Sequence, residues 1–262
     1  MVSRAEKRRD RRREIRDEES SGRLGWILGG AAVLAIAIVG FNLVSSMFDA
    51  TVRTAIEVEF ESPQELIELA QGVSIGSPDA SVTVMEFGDY QCPACQNFFR
   101  QAKPILDVSY IEPGRIQFVF YDFPLEGAHP HAFLAARAAR CAGDQDGYWQ
   151  FHDRLFQDQI SWSVQADPSG QFVDYAEDLG LDGSAFRGCL RSDRHAEVVS
   201  ANQLLGLQLG AQSSPTVLID AGDGRATWVA NWTANLRPLL EEALAAAAAG
   251  GPEAPAEEST GE

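Results

Sequence analysis

The 262-residue sequence predicts an α/β domain that carries an inserted block of helices and follows one N-terminal transmembrane helix. Three features lead there. Residues 82–88, 115–125 and 213–220 are runs of β-branched, aromatic and aliphatic residues of strand length. Residues 130–200, between the second and third runs, show helical spacing punctuated by Asp, Gly and Ser. Residues 24–48 are 25 consecutive positions without a charged side chain.

Composition narrows the function. Hydrophobic residues make up 45% of the chain, enough to bury a core, and the formal charge is -17. Residues 1–23 hold nine Lys/Arg and six Asp/Glu, so the rest of the chain is more acidic still. An acidic body excludes a nucleic-acid binder, which needs a basic footprint. It fits either a solubility role or a salty habitat. Four cysteines, an even number, fit an oxidising compartment.

In chain order, residues 1–23 are a polar basic arm, disordered or loosely helical. Residues 24–48 are long enough to span a bilayer, with Trp26 and Phe48 placed for the two interfaces. The basic cluster on the N-terminal side puts the N-terminus in the cytoplasm and the rest outside. A cleaved signal peptide is the competing reading, but the apolar run is long and no small-x-small cleavage site follows it. Residues 49–72 read as a linker with a peripheral helix: Ser62, Pro63 and Glu65 make a capping-box start, and the helix is expected to reach about Gln71.

Residues 72–81 predict a short strand and a turn before the strand at 82. The helix after Cys92 is expected to reach about Tyr110, kinked at Pro104, with Phe98, Phe99, Ile105 and Leu106 buried. The continuously apolar run 115–125 predicts a central strand buried on both faces. The block at 130–200 predicts four or five helices. Residues 213–220, the turn AGDGR and ATWVAN predict a hairpin. Residues 233–249 predict a closing helix with Leu236, Leu239, Leu240 and Leu244 on one face, and 249–262 a disordered acidic tail.

The chemistry concentrates in VTVMEFGDYQCPACQNFF, residues 82–99. A strand ends at Gly88-Asp89, and Pro93 suits the first turn of a helix because its missing N–H would be unpaired there. Cys92 therefore sits at a helix N-terminus, beside free N–H donors and the positive end of the dipole. That setting favours thiolate, the species that attacks disulfides. Cys95, one turn on, can close a ring with it. A zinc site would need two further ligands, and Cys141, Cys189 and the histidines show no ligand spacing. An inert disulfide is the other alternative.

This segment resembles the active-site region of DsbA-like thiol–disulfide oxidoreductases, a branch of the thioredoxin superfamily. The resemblance covers about residues 73–248 and implies a thioredoxin fold with the helical insertion at 130–200. It implies Cys92 as nucleophile and Cys95 as its partner in a redox-active pair. It also implies a cis proline at Pro215, with Ser214 before it, lying across from the cysteines and pairing with client peptides. An ordinary trans proline at a strand start is the plain alternative. Family members with a histidine before the second cysteine gain a donor or charge that Ala94 cannot supply, which implies a less oxidising pair here.

Glu86 stands in an apolar strand six residues before Cys92. Buried, it would have a raised pKa and exchange protons with Cys95; alternatively it faces solvent. Cys141 and Cys189, outside the cytoplasm, are expected to bridge and clamp the helical block, for about 2 to 4 kcal/mol in the chain-entropy account. Two separate buried cysteines are the alternative. None of the four histidines is assigned a catalytic role: His152 reads as helix surface or a local hydrogen bond to Asp153, while His129 and His131 flank Pro130 near a helix start, a position from which they could approach the active site.

These readings give a membrane-anchored enzyme of protein thiols and disulfides, oxidising in direction, with no cofactor or metal. By family analogy its turnover uses a membrane redox partner linked to quinone. A reductase or isomerase of the same fold, or a non-catalytic peptide-binding module, are the alternatives.

Overall fold

The computed structural model describes residues 51–250. The basic arm (1–23), the proposed membrane span (24–48) and the acidic tail beyond Gly250 lie outside the described residues. Among the described residues no helix is long and apolar enough to cross a membrane.

A five-stranded sheet forms the frame: β1 (Val73–Gly76), β2 (Thr83–Gly88), β3 (Gln117–Asp122), β4 (Thr216–Asp220) and β5 (Ala226–Trp228). The spatial order is β1-β3-β2-β4-β5. β2 and β3 are parallel, with Val84 opposite Phe118 and Glu86 opposite Phe120. The β1–β3, β2–β4 and β4–β5 pairs are antiparallel. The central strand is thus β2, which carries the site; β3, expected at the centre, lies one place out. β3 is nonetheless mostly buried, because helices cover both faces of the sheet.

The period-two alternation of strand side chains sorts the core into two parts. Val84, Phe118, Phe120, Val217 and Ile219 point into the larger cluster, which also takes in most of the helical block. Phe87, Met85, Tyr121 and Leu218 point the other way, toward Leu66, Ala201 and Leu205. Those three residues belong to α1 (Pro63–Leu69) and α9 (Ala196–Leu209). Glu86 alternates with Phe87, so it faces the larger cluster.

The Ser62 hydroxyl caps α1 by accepting from the Glu65 N–H at 3.2 Å, and the helix ends at Leu69, short of Gln71. After Cys92 the chain forms α2 (Pro93–Gln101), α3 (Lys103–Leu106) and a π-helical turn, Asp107–Ile111. The break at Ala102 precedes Pro104, which has no N–H to continue the ladder. Phe98 and Leu106 are buried as expected; Ile105 is 53% exposed, because the break turns it outward.

The insertion holds six helices: α4 (Ala132–Gly143), α5 (Tyr148–Gln157), α6 (Gln159–Ser163), α7 (Ser169–Asp178), α8 (Gly183–Arg191) and α9. That exceeds the four or five expected and runs past residue 200, since one short helix, α6, lacks a readable period. The closing helix α10 spans Trp232–Gly250, absorbing the first two residues assigned to the tail. His152 makes the local hydrogen bond to Asp153, at 2.9 Å, but is not on the surface: it is buried among Tyr90, Phe120, Trp149 and Phe156.

Residues 51–61, expected as linker, are fastened to the domain. The Arg53 guanidinium pairs with Asp167 at 2.9 Å, and the Ile56 N–H donates to the Ser200 hydroxyl at 3.0 Å. Arg137, fully buried in α4, donates to the Val52 carbonyl at 2.6 Å and to the carbonyls of Cys189, Ser192 and Arg194.

Candidate active site

β2 and β3 run parallel and end side by side, Gly88 opposite Asp122, so the loops that leave them meet. One loop is Asp89–Cys92, feeding α2; the other is residues 123–131. Gly88 is small by necessity: a Cβ there would lie 2.4 Å from the Phe120 ring.

Cys92 is the N-cap of α2, in extended backbone, with Pro93 in the first turn. Its N–H donates to the Asp89 carbonyl at 3.1 Å. The residue keeps 7% of its surface exposed, while Cys95 keeps none. Both cysteines are free thiols. A hydrogen bond from the Cys95 thiol brings the Cys92 pKa down to about 5 against the opposing effect of burial, with help from the Ser214 hydroxyl and the N–H groups of Cys95 and Ala94. Burial drives Cys95 the other way, well above the ordinary thiol range, reinforced by the bond to Cys92 and the nearby Glu86 carboxylate. The Asp89 N–H donates to the Cys95 sulfur at 3.4 Å. The pair is therefore divided into one ionised, reachable sulfur and one protonated, enclosed sulfur.

Glu86 is 3% exposed, which excludes the solvent-facing reading. Burial raises its pKa to about 8; the Lys103 charge opposes this and the Cys92 charge adds to it. Its Oε1 has no hydrogen-bond partner among the described residues. Lys103 is itself buried, with Nζ 2.5 Å from the Asp107 carboxylate and 5.5 and 5.4 Å from the Phe118 and Trp149 ring centroids.

The Ser214–Pro215 peptide is cis. It faces the cysteines: Cys92 Sγ lies 3.4 Å from the Ser214 carbonyl oxygen, to which it donates only while protonated. The Ser214 hydroxyl is buried without a hydrogen-bond partner among the described residues, and it lies near enough to the Cys92 sulfur to help lower its pKa.

Cys141 and Cys189 lie in a separate place, where a disulfide ties α4 to α8. His195 brings a ring nitrogen within 4.8 Å of both sulfurs, but sulfurs bonded to each other offer no thiolate to a metal.

Several groups around Cys92 escaped sequence reading. The Gln159 amide donates to the carbonyls of Tyr90 and Cys92 at 2.7 and 3.0 Å, and Gln91 donates to the Ser163 carbonyl, so α6 holds the cysteine loop. Asp89, with its side chain fully enclosed, accepts from His129 Nδ1 at 2.7 Å. The histidines flanking Pro130 were the available signal for this pair, but nothing local ties them to a loop 40 residues upstream.

The family model described as Thioredoxin matches residues 68–227. "Probable disulfide bond formation protein D" of Bacillus anthracis is 27% identical over 190 residues, covering 72% of this chain and 88% of the relative. "Na(+)/H(+) antiporter NhaA 1" of Salinispora arenicola is 36% identical over 146 residues, 55% of this chain; the chain spans about a fifth of that relative, 21%. The crystal structure of oxidised BdbD from Bacillus subtilis superposes with a TM-score of 0.60 at 24% identity, over 73% of this chain and 98% of the other.

Proposed function

The chain belongs to the thioredoxin family, and we propose that this thiol–disulfide oxidoreductase works in the oxidising direction, forming disulfides in proteins outside the cytoplasm. The observation that carries the direction is the division of the two sulfurs. A Cys92 thiol ionising near pH 5 stabilises the reduced form at pH 7 by about 3 kcal/mol over one that stays protonated, roughly 60 mV for two electrons. A stabilised reduced form makes the disulfide a stronger oxidant.

In the oxidised pair, a client thiolate attacks the Cys92 sulfur. The Cys92–Cys95 bond breaks, and its electron pair leaves on Cys95, which takes a proton from the Glu86 carboxyl. A second client thiolate attacks the client sulfur of the mixed disulfide and expels Cys92 as a thiolate. The client loses two electrons; the protein gains two electrons and one proton, and Glu86 recovers its own from solvent. Ser214 steadies the departing thiolate, and the Ser214–Pro215 edge receives the client backbone. The Cys141–Cys189 bridge is structural.

The domain plan follows the sequence: a cytoplasmic arm at 1–23, one span at 24–48, the catalytic domain at 73–248 and an acidic tail. A membrane partner linked to quinone withdraws the two electrons. Equilibration with glutathione tests the direction: a potential well above thioredoxin's, about -270 mV, is expected, and a value at or below it reassigns the protein as a reductase. Cys95→Ser should trap a mixed disulfide on Cys92.

A further inference from the structure

We propose that the junction of Cys141 and Cys189 becomes a zinc site when its disulfide is reduced, with Cys141, Cys189, His195 and Asp144 as the four ligands. In the structure the two sulfurs are bonded to each other and tie α4 to α8. Two further ligand types converge on them. A His195 ring nitrogen and both sulfurs lie within 4.8 Å of one another. The Asp144 carboxylate reaches two of these three groups: Oδ2 is 3.6 Å from the Cys189 sulfur, and Oδ1 is 3.1 Å from His195 Nε2.

The four residues come from three helices. Cys141 lies in the last turn of α4, and Asp144 is the residue that ends that helix; Cys189 belongs to α8, and His195 is the N-cap of α9. His195 holds its place in left-handed backbone, φ 65°, a conformation uncommon for a residue with a Cβ. The sulfurs are enclosed, but the Asp144 and His195 side chains keep 32% and 21% of their surface, so the junction opens to solvent on their side.

Tetrahedral zinc, with bonds of about 2.0 to 2.3 Å, sets its ligand atoms roughly 3.4 to 3.8 Å apart. The Asp144 separations from Cys189 and His195 are already close to that. The sulfurs alone must part, and reduction parts them. Two thiolates, an imidazole and a carboxylate suit Zn²⁺, whereas Ca²⁺ and Mg²⁺ take oxygen ligands. Charge closes as well: two thiolates and one carboxylate carry three negative charges, against two on the metal and one on Arg194, whose guanidinium is 2.9 Å from Asp144 Oδ2.

The chemistry balances in both directions. A dithiol reductant gives the bridge two electrons and two protons, and Zn²⁺ displaces the two protons from the thiols so formed. In reverse, a disulfide takes two electrons from the zinc-bound thiolates and two protons from solvent; the Cys141–Cys189 bond closes and Zn²⁺ leaves. The same cluster thus clamps the helical block by metal under reducing conditions and by a covalent bond under oxidising ones.

Anaerobic Co²⁺ titration tests this. The full chain carries Cys92→Ser and Cys95→Ser and is reduced with a phosphine, so that Cys141 and Cys189 are its remaining thiols. One Co²⁺ per chain is expected, with thiolate charge-transfer absorbance and the intense visible bands of a tetrahedral ion, and Zn²⁺ should displace it. His195→Ala and Asp144→Ala should each weaken uptake about tenfold or more. His195→Cys, which offers a third thiolate, should restore uptake with stronger charge-transfer absorbance. The same chain with its bridge closed should take up none. Where reduction unfolds the chain, refolding with Zn²⁺ should return the helical circular dichroism that refolding with a chelator does not. Lack of stoichiometric uptake, uptake indifferent to both His195→Ala and Asp144→Ala, equal uptake by the bridged form, or Zn²⁺ that fails to refold a reduced and unfolded chain overturns the proposal.

Discussion

The protein holds two pairs of cysteines whose fates are opposite. Cys92 and Cys95 are three residues apart, free, and split between an ionised sulfur and a protonated one. Cys141 and Cys189, 48 residues apart, are joined and enclosed, with exposures of 0% and 5%. The amino acid is the same; the surroundings differ. The first pair sits where a helix begins, with backbone donors on the sulfurs and Ser214 and the buried Glu86 near enough to shift their pKa values. The second sits between two helices beside Arg137, whose donors are spent on backbone carbonyls of the same region. Thiolate chemistry needs a free sulfur with donors to share; at the α4–α8 junction the two sulfurs are bonded to each other.

The comparison can be broken most directly at Cys92, the proposed nucleophile. Cys92→Ser should lower peptide oxidation at least ~1000-fold, since no other ionised sulfur faces solvent; the Cys141→Ala/Cys189→Ala double variant should keep most of that activity. Both are read by fluorescence of a dithiol peptide.

Next is the buried acid. Glu86 has its pKa raised from 4.5 to about 8, so its neutral form favours the fold and its ionised form opposes it. That stability is complete below pH 4.5 and lost as pH rises through 8. Glu86→Gln should match wild type in urea unfolding of the reduced protein at pH 4. At pH 9 it should exceed it by up to about 5 kcal/mol, the linkage limit for that shift. It should also slow client attack on the oxidised pair, by loss of the proton delivered to Cys95.

Removing the structural bridge should cost less, about 4 kcal/mol for a loop of this length, as a lowered urea midpoint with the Cys92 titration unmoved. A shift in that titration would show the two pairs to be coupled. The smallest effect belongs to Ser214→Ala, which deletes one hydrogen bond to a charged sulfur. About 1.5 kcal/mol, or tenfold less thiolate at low pH, is expected in absorbance titration, with stability nearly unchanged.

Much of this was written locally. The strand at 82–88, the turn at Gly88-Asp89 and Pro93 after Cys92 are neighbours in sequence, so the helix start and the sulfur's place on it could be read without a fold. The break before Pro104 was local as well. The order of β2 and β3 was not, because a fully apolar run signals burial on two faces but not rank in the sheet. The short helix α6 went unseen for want of a full period, though it grips the cysteine loop through Gln159. His152 bonds Asp153 as a local pairing would, yet it is enclosed by rings from its own helix, from β3 and from the loop before Cys92.

By itself, the sequence determined that a cysteine stands at the start of a helix, that a carboxyl lies on the strand leading to it, and that the domain is interrupted by helices. Those facts follow from covalent neighbours and short periods. Only the tertiary structure decided that Glu86 is enclosed, that Ser214 reaches Cys92 across 122 residues, and that His129 meets Asp89. The physical reason is that pKa values are set by burial and by charges that converge from distant parts of the chain, and convergence is a property of the packed sheet rather than of any one segment.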